Sequence, residues 1–202
     1  AQRRPAQGPA PESRATSAAV TRALGDWGLP GRSWVLPLML LSGAVSFTWE
    51  VLWTRMLSHI VGSSIYAFGV MVGSFLAGIA LGGAFGAWLA TTRARAVNAW
   101  VVAQLVAAAW GLAAFLLLER IIPDQTGLYA NAALAFLQLL PLTFAIGTTY
   151  PLAVRILADR TEEAASASAR VYAWNTVGAI TGALAAGFTL IPSLRYEGTV
   201  QV

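Results

Sequence analysis

Apolar residues run along this chain in long stretches parted by short polar breaks. The first stretch goes from about Trp34 to Trp53. The second lies within the uncharged segment Ile60–Thr92, where Gly62, Ser63 and Ser64 place the helix start near Ser64. The others run from about Val97 to Leu118, Leu128 to Val154 and Val171 to Leu194. A helix needs about 20 apolar residues to cross the hydrocarbon of a bilayer. Any one stretch could be a buried helix of a soluble protein, but five in succession predict membrane spans. The expected fold is all-α: a polytopic transmembrane helix bundle with about five spans, at 34–53, 64–90, 97–118, 128–154 and 171–194.

The ends read differently. Residues 1–31 are rich in Ala, Pro, Gly and Arg, lack helical periodicity and read as a disordered tail. No apolar stretch follows Arg3 and Arg4 until Trp34, so the tail does not read as a signal peptide. The bundle occupies 32–202. It stops at YEGTVQV, a polar turn after Pro192, and is expected to be the membrane part of a longer protein.

Composition agrees with lipid. The chain is 57% hydrophobic and 11% charged, against roughly 25% charged in a soluble domain. Its 13 basic residues are all Arg. They are scattered around apolar runs rather than gathered on a solvated face, so nucleic acid is not an expected partner despite the net charge of +4. With the N-terminus cytoplasmic, ten arginines fall on the inner side and only Arg55, Arg120 and Arg195 on the outer. This positive-inside bias predicts a membrane protein with its tail on the cytoplasmic side. Without Cys there is no disulfide, thiolate ligand or thiol nucleophile.

Small residues mark the expected contact faces, because lipid supplies no hydrophobic force between helices and backbones must approach closely. The second span carries Gly78, Gly82 and Gly86 at intervals of four, and also Gly69, Gly73 and Ala77. The fifth carries Gly178, Gly182 and Ala186, with Ala179, Ala183 and Gly187 beside them. Each span is expected to pack tightly on a neighbour, the two on each other being one arrangement. The same faces are where protein partners would bind. Pro141 and Pro151 in the fourth span should kink or locally break it. Broken helices line substrate paths in transporters, although membrane helices also tolerate proline where neighbours satisfy the freed carbonyls.

Polar residues within spans are the candidate ligand contacts. Glu50 sits one turn from the outer end of the first span, between Trp49 and Trp53 of an aromatic belt. Arg55 is about 140° further round the helix and so is not its i,i+4 partner. Glu50 reads either as an interfacial acid held by loop backbone, as an acid facing a cavity where it could meet a cation, or as simply exposed. Asn175 is placed to hold a neighbouring helix or cap a backbone break. Tyr66, Tyr150 and Tyr172 lie near span ends and fit the belts, with Tyr66 also a candidate contact for a cationic solute. His59 stands alone and reads as an outer-loop residue, since a metal site needs several ligands. No catalytic constellation, metal site or cofactor loop is expected.

Four stretches together carry a resemblance: SGAVSFTWEVLWTR (42–55), GSSIYAFGVMVGSFLAGIALGG (62–83), GTTYPL (147–152) and VYAWNTVGAITGALAAGFTLIP (171–192). The chain resembles, over about residues 34–195, the membrane half of bacterial spermidine-synthase-like integral membrane proteins. That half is major-facilitator-like and is fused in the family to a spermidine-synthase-like domain. The recurring elements correspond here to Glu50–Arg55, Phe75–Gly82 and Asn175–Gly182. The resemblance implies a non-catalytic membrane module that anchors or scaffolds. Any aminopropyl-transfer domain is absent from these residues, as is a G-x-G-x-x-G loop after a strand. Two other functions fit the residues: an accessory structural subunit of a larger, energy-transducing membrane complex, and a transporter-like bundle for a small cationic solute such as a polyamine.

Overall fold

The computed structural model describes residues 34–60, 65–121, 128–158 and 160–201. The tail at 1–31, read as disordered, lies outside the described residues. Among the described residues the chain is helical, without strands. Its helices are α1 (Val35–Ile60), α2 (Ile65–Leu89), α3 (Arg93–Ile121), α4 (Leu128–Leu157), α5 (Thr161–Ala185) and, beyond a π-turn at Ala186–Leu190, α6 (Ile191–Gln201). Helices α1 to α4, and the continuous helical run Thr161–Arg195 that includes α5, are each long and apolar enough to cross a membrane. The outer surface fits that setting: Trp88, Leu105, Leu116 and Phe188 are among many large apolar side chains turned outward.

The helices overrun the apolar stretches. A hydropathy pattern registers the hydrocarbon, whereas backbone hydrogen bonding continues into the headgroup region. α1 continues to Ile60, so the backbone of His59 is helical rather than in a loop; its side chain lies outside the described residues. The expected loop at 91–96 is much shorter, because α3 begins at Arg93 with the Thr92 hydroxyl accepting the Arg95 N–H at 3.3 Å. The expected loop at 155–170 is mostly helix, since α5 begins at Thr161. Glu162 and Glu163 in its first turn complement the helix dipole.

The prolines of the fourth and fifth spans differ in effect. α4 runs unbroken through Pro141 and Pro151, so neither breaks its span. Hydroxyls turn back onto nearby carbonyls: Thr143 onto Leu139 at 3.0 Å, Thr148 onto Ala145 and Thr149 onto Ile146, both at 2.7 Å. The irregularity falls instead in the fifth span. The ring of Pro192 crowds the carbonyl four residues back, at Phe188, and supplies no N–H to it. The helix widens into the π-turn just there. Three residues beyond the proline, Arg195 takes φ 60° and ψ −176°, which kinks the chain inside α6. That backbone region is essentially glycine's.

Two helix pairs make the closest approaches. A Cβ on Gly78 would collide with the Thr143 side chain, and one on Gly82 with the Phe144 carbonyl. One on Gly86 would lie 2.6 Å from the Thr148 carbonyl, and from α4 one on Gly147 would lie 2.5 Å from that of Ile79. In the second pair, Gly178 meets the Leu40 carbonyl, Gly182 that of Ala44, and Gly43 that of Asn175. Ala186 continues this α5 face and is fully buried. So α2 lies on α4 and α5 lies on α1, and the second and fifth spans each take a different partner. In both pairs residue numbers rise together along the contact, so the paired helices run parallel. Gly69 and Gly73, at the same spacing on α2, face open space.

α4 ties the pairs together. It packs along α3 and also touches α1 and α5. Towards the Arg-rich end the core joins Val35, Met39, Trp100, Leu152, Ile156 and Val171. Towards the other end it joins Trp53, Met71, Phe75, Leu139 and Leu142. Gln138 is 4% exposed and its Nε2 donates to the Ala114 carbonyl at 2.5 Å, while the Trp110 indole donates to the Gln138 carbonyl at 2.9 Å. Such interhelical bonds are worth on average about 0.6 kcal/mol each.

The glycine contacts generate a direct test. Gly82→Ala puts a methyl group against backbone that cannot swing away, and should cost about 1–3 kcal/mol. Gly73→Ala meets nothing and should not weaken the bundle. Unfolding in mixed micelles titrated with dodecyl sulfate compares the two; equal effects would mean that the α2–α4 crossing is not the close one.

Candidate functional site

The candidate residues of α1 belong to a longer pattern. Ser42, Ser46, Glu50 and Thr54 recur every four residues and so lie along one slowly drifting stripe of the helix. Ser42 and Ser46 are buried, and Ser46 Oγ donates to the Ser42 carbonyl at 2.7 Å. Thr54 Oγ1 donates to the Glu50 carbonyl at 2.6 Å and lies 3.0 Å from Met71 Sδ of α2. The hydroxyls thus spend their protons on backbone, which is how a polar side chain avoids an unsatisfied donor in an apolar interior.

Glu50 is half-buried on this stripe, and its carboxylate has no hydrogen-bond or ion-pair partner among the described residues. Arg55 is exposed. Asn175 sits where α5 crosses α1: its carbonyl lies against Gly43, and its Oδ1 would be 2.9 Å from a Cβ there. Gly43 and Glu50 are seven residues apart, or about 10 Å along the helix. Asn175 and Glu50 therefore belong to different places on the bundle. Tyr66 lies on α2, but its side chain is outside the described residues.

Two cavities adjoin this part of α1. One, of about 350 Å³, lies between α1, α3 and α4, with Ser42, Ser46, Trp49, Trp100 and Gln104 on its walls. The other, of about 730 Å³, lies between α1, α3 and α5 and reaches Thr48, Thr181 and Thr199. They share Leu41, Val45, Trp49 and Ala108 and so adjoin, and together they make up the cleft between α1 and α3. Trp49 is held in place: it stacks on Trp53 with centroids 6.4 Å apart, and Gly111 leaves room for its ring on α3. Thr48 Oγ1 donates across to the Gly182 carbonyl at 3.3 Å.

The chemistry of the cleft is that of neutral dipoles. The buried indole nitrogens of Trp53 and Trp100 have no acceptor among the described residues, and Trp100, 5% exposed, is a wall residue of the smaller cavity. Gln104 adds an amide. Neither cavity has an acidic wall residue, and Glu50 lines neither. Among the described residues no group of His, Cys, Asp and Glu is placed to hold a metal ion. The cleft can accommodate an apolar guest carrying a hydrogen-bond acceptor; it has no acidic group on its walls to pair with a cation. Trp100 and Gln104 had no signal in the sequence, because they reach the cleft only through the pairing of α3 with α4. Ser42 and Ser46 did have one, the four-residue spacing to Glu50.

No protein-family model, curated protein or solved structure matches this chain.

The bare carboxylate of Glu50 makes a simple prediction. Glu50→Gln keeps shape and removes charge, so the unfolding midpoint should be unchanged or rise slightly. A loss above about 1.5 kcal/mol, the scale of a hydrogen bond to a charged group, would show that the carboxylate is paired.

Proposed function

We propose that this chain is a non-catalytic membrane module that anchors or scaffolds another folded protein, of the kind found in spermidine-synthase-like membrane proteins. One observation carries the reading. The residues on which the resemblance rests, Gly78 and Gly82 in one element and Asn175, Gly178 and Gly182 in another, are those at which helices cross at backbone distance. They build the bundle; they do not converge on a reacting centre. The distribution of arginine supports an orientation with residues 90–93 and 157–161 on the cytoplasmic side of a bacterial inner membrane, where Arg93, Arg95, Arg155, Arg160 and Arg170 gather. The partner is either a covalently linked soluble domain or a separate subunit of a membrane complex; the module does the same mechanical work in both. Transport of a small cation such as a polyamine is less well supported, because the cleft has no acidic wall.

Native mass spectrometry after gentle extraction from the protein's own membrane tests the proposal. The expected result is that the bundle occurs within a covalent mass well above 21.2 kDa, or at 21.2 kDa with a stoichiometric protein partner. A lone chain with no partner overturns it, the more so if that chain takes up a polyamine in proteoliposomes at a rate that falls in Glu50→Gln.

A further inference from the structure

A third cavity lies away from the cleft, at the Arg-rich end. It has a volume of about 570 Å³ and is bounded by the end of α2, the end of α4 and the start of α5. We propose that it is a binding site for one anionic phospholipid, with the phosphate between Arg155 and Arg160 and an acyl chain along the apolar wall.

Its walls divide by chemistry in the way such a molecule does. Ala87, Ala90, Pro151, Val154 and Ala164 provide the apolar side, on which the two hydroxyls present, Tyr150 and Ser168, are paired with each other, while Arg155, Arg160 and Thr161 provide the polar side. The division coincides with the level at which three helices end, which is where a bilayer changes from chains to headgroups. A basic pocket between helices at this level is the setting in which lipid phosphates are held. A soluble anion would have no use for the apolar wall.

The arginines are suited to the task in different ways. Arg155 is part-buried and its Nη1 donates to the Ala158 carbonyl at 2.8 Å. One of its five N–H groups is thereby anchored and the planar fork is held in a fixed direction, with further donors left for a phosphate. Arg160 is exposed on the short α4–α5 connection and can close over a headgroup from the water side. The apolar wall is braced as well, since the Tyr150 hydroxyl of α4 lies 2.8 Å from Ser168 Oγ and 3.1 Å from the Ser168 carbonyl of α5. Glu162 and Glu163 lie in the first turn of α5 but are exposed and do not line the cavity. The inference does not depend on the scaffold reading, because a lipid site serves a module, a subunit or a carrier equally.

The test uses the full chain in nanodiscs of mixed phosphatidylglycerol and phosphatidylcholine, followed by native mass spectrometry of retained lipid. Wild type should retain one phosphatidylglycerol per chain in preference to phosphatidylcholine. Arg160→Gln should lower that retention about fivefold, the scale expected of one arginine near an anionic surface, and leave phosphatidylcholine unchanged. Arg155→Gln should do the same, but it also removes the bond to Ala158, so Arg160→Gln is the cleaner variant. Arg95→Gln removes an exposed arginine from the α2–α3 end outside the cavity and should have little effect. Equal losses in Arg95→Gln and Arg160→Gln would overturn the site in favour of general surface charge. Displacement of the lipid by excess inorganic phosphate, or no preference for the anionic lipid in wild type, would overturn it too.

Discussion

Backbone-to-backbone approach at a handful of glycines is the constraint on which this bundle depends. In lipid, an apolar side chain gains little by leaving acyl chains for another helix. What remains is dispersion between closely fitted surfaces and interhelical hydrogen bonding, and both need helix axes to come near. At Gly82, Gly178 and Gly182 the facing atoms are main-chain carbonyls of Phe144, Leu40 and Ala44. A side chain there cannot be relieved by a rotamer change on the far side. The crossings therefore set axial register as well as distance: Gly182 opposite Ala44 places Gly178 opposite Leu40, one turn away on both helices. With two parallel pairs fixed in register, the remaining geometry has little freedom.

What the crossings bring together also decides what they leave apart. Consecutive helices run antiparallel, so the parallel partners are second or fourth neighbours in the chain. α1 is drawn to α5 and α2 to α4, and α3 completes the second group by lying along α4. α1 and α3 are then separated by the width of a cleft, which Trp49 partly fills by resting over Gly111. The cleft is thus a consequence of pairing. The faces at Gly78, Gly82 and Gly86 and at Gly178 and Gly182 are used within the bundle, so a protein partner would have to meet other surfaces, such as the open stripe at Gly69 and Gly73, the outward apolar faces or the connections at the Arg-rich end.

Much of the fold could be read from the sequence, and the limits have physical causes. Five long helices follow from apolar length alone. The contact faces follow from Gly and Ala at intervals of four, but that spacing marks a face without naming what lies against it. Gly69 and Gly73 repeat as regularly as Gly78 and Gly82 and yet face open space, because contact depends on where the partner helix runs. Helix ends were misplaced because hydropathy reports hydrocarbon depth. A signal for the true start of α5 was present in Thr161, Glu162 and Glu163, an acidic first turn suited to the helix dipole. Pro141 and Pro151 do not break α4, as the tolerated reading allows, and the effect of Pro192 is not among the sequence expectations. In α4, threonine hydroxyls and close neighbours surround the altered turns. In the fifth span, Pro192 lies next to Gly187 and Phe188 where no neighbour confines the outer face, and Phe188 is 79% exposed. The site was less legible than the fold. Glu50 drew attention as a charge in a span, whereas the walls of the cleft are serines, an amide and indoles contributed by three helices.

That contrast bears on how the molecule manages polarity. Charge is kept to the ends: Arg155 and Arg160 border a cavity at headgroup level, and Glu50 stays near the opposite end, outside the cleft. The interior polar groups are neutral, and the hydroxyls of Ser46, Thr48, Thr54, Thr143, Thr148 and Thr149 each donate to a main-chain carbonyl. A hydroxyl bonded to its own helix costs little to bury and leaves no field to attract an ion. An acid in a hydrated or paired position at mid-depth is one common mark of a cation pathway, and among the described residues neither cavity has one. Most of the mid-depth hydroxyls are thus spent on main chain, and the polar groups left over in the interior are neutral ones, the indole nitrogens of Trp53 and Trp100 and the Gln138 Oε1, while the arginines stay at the ends.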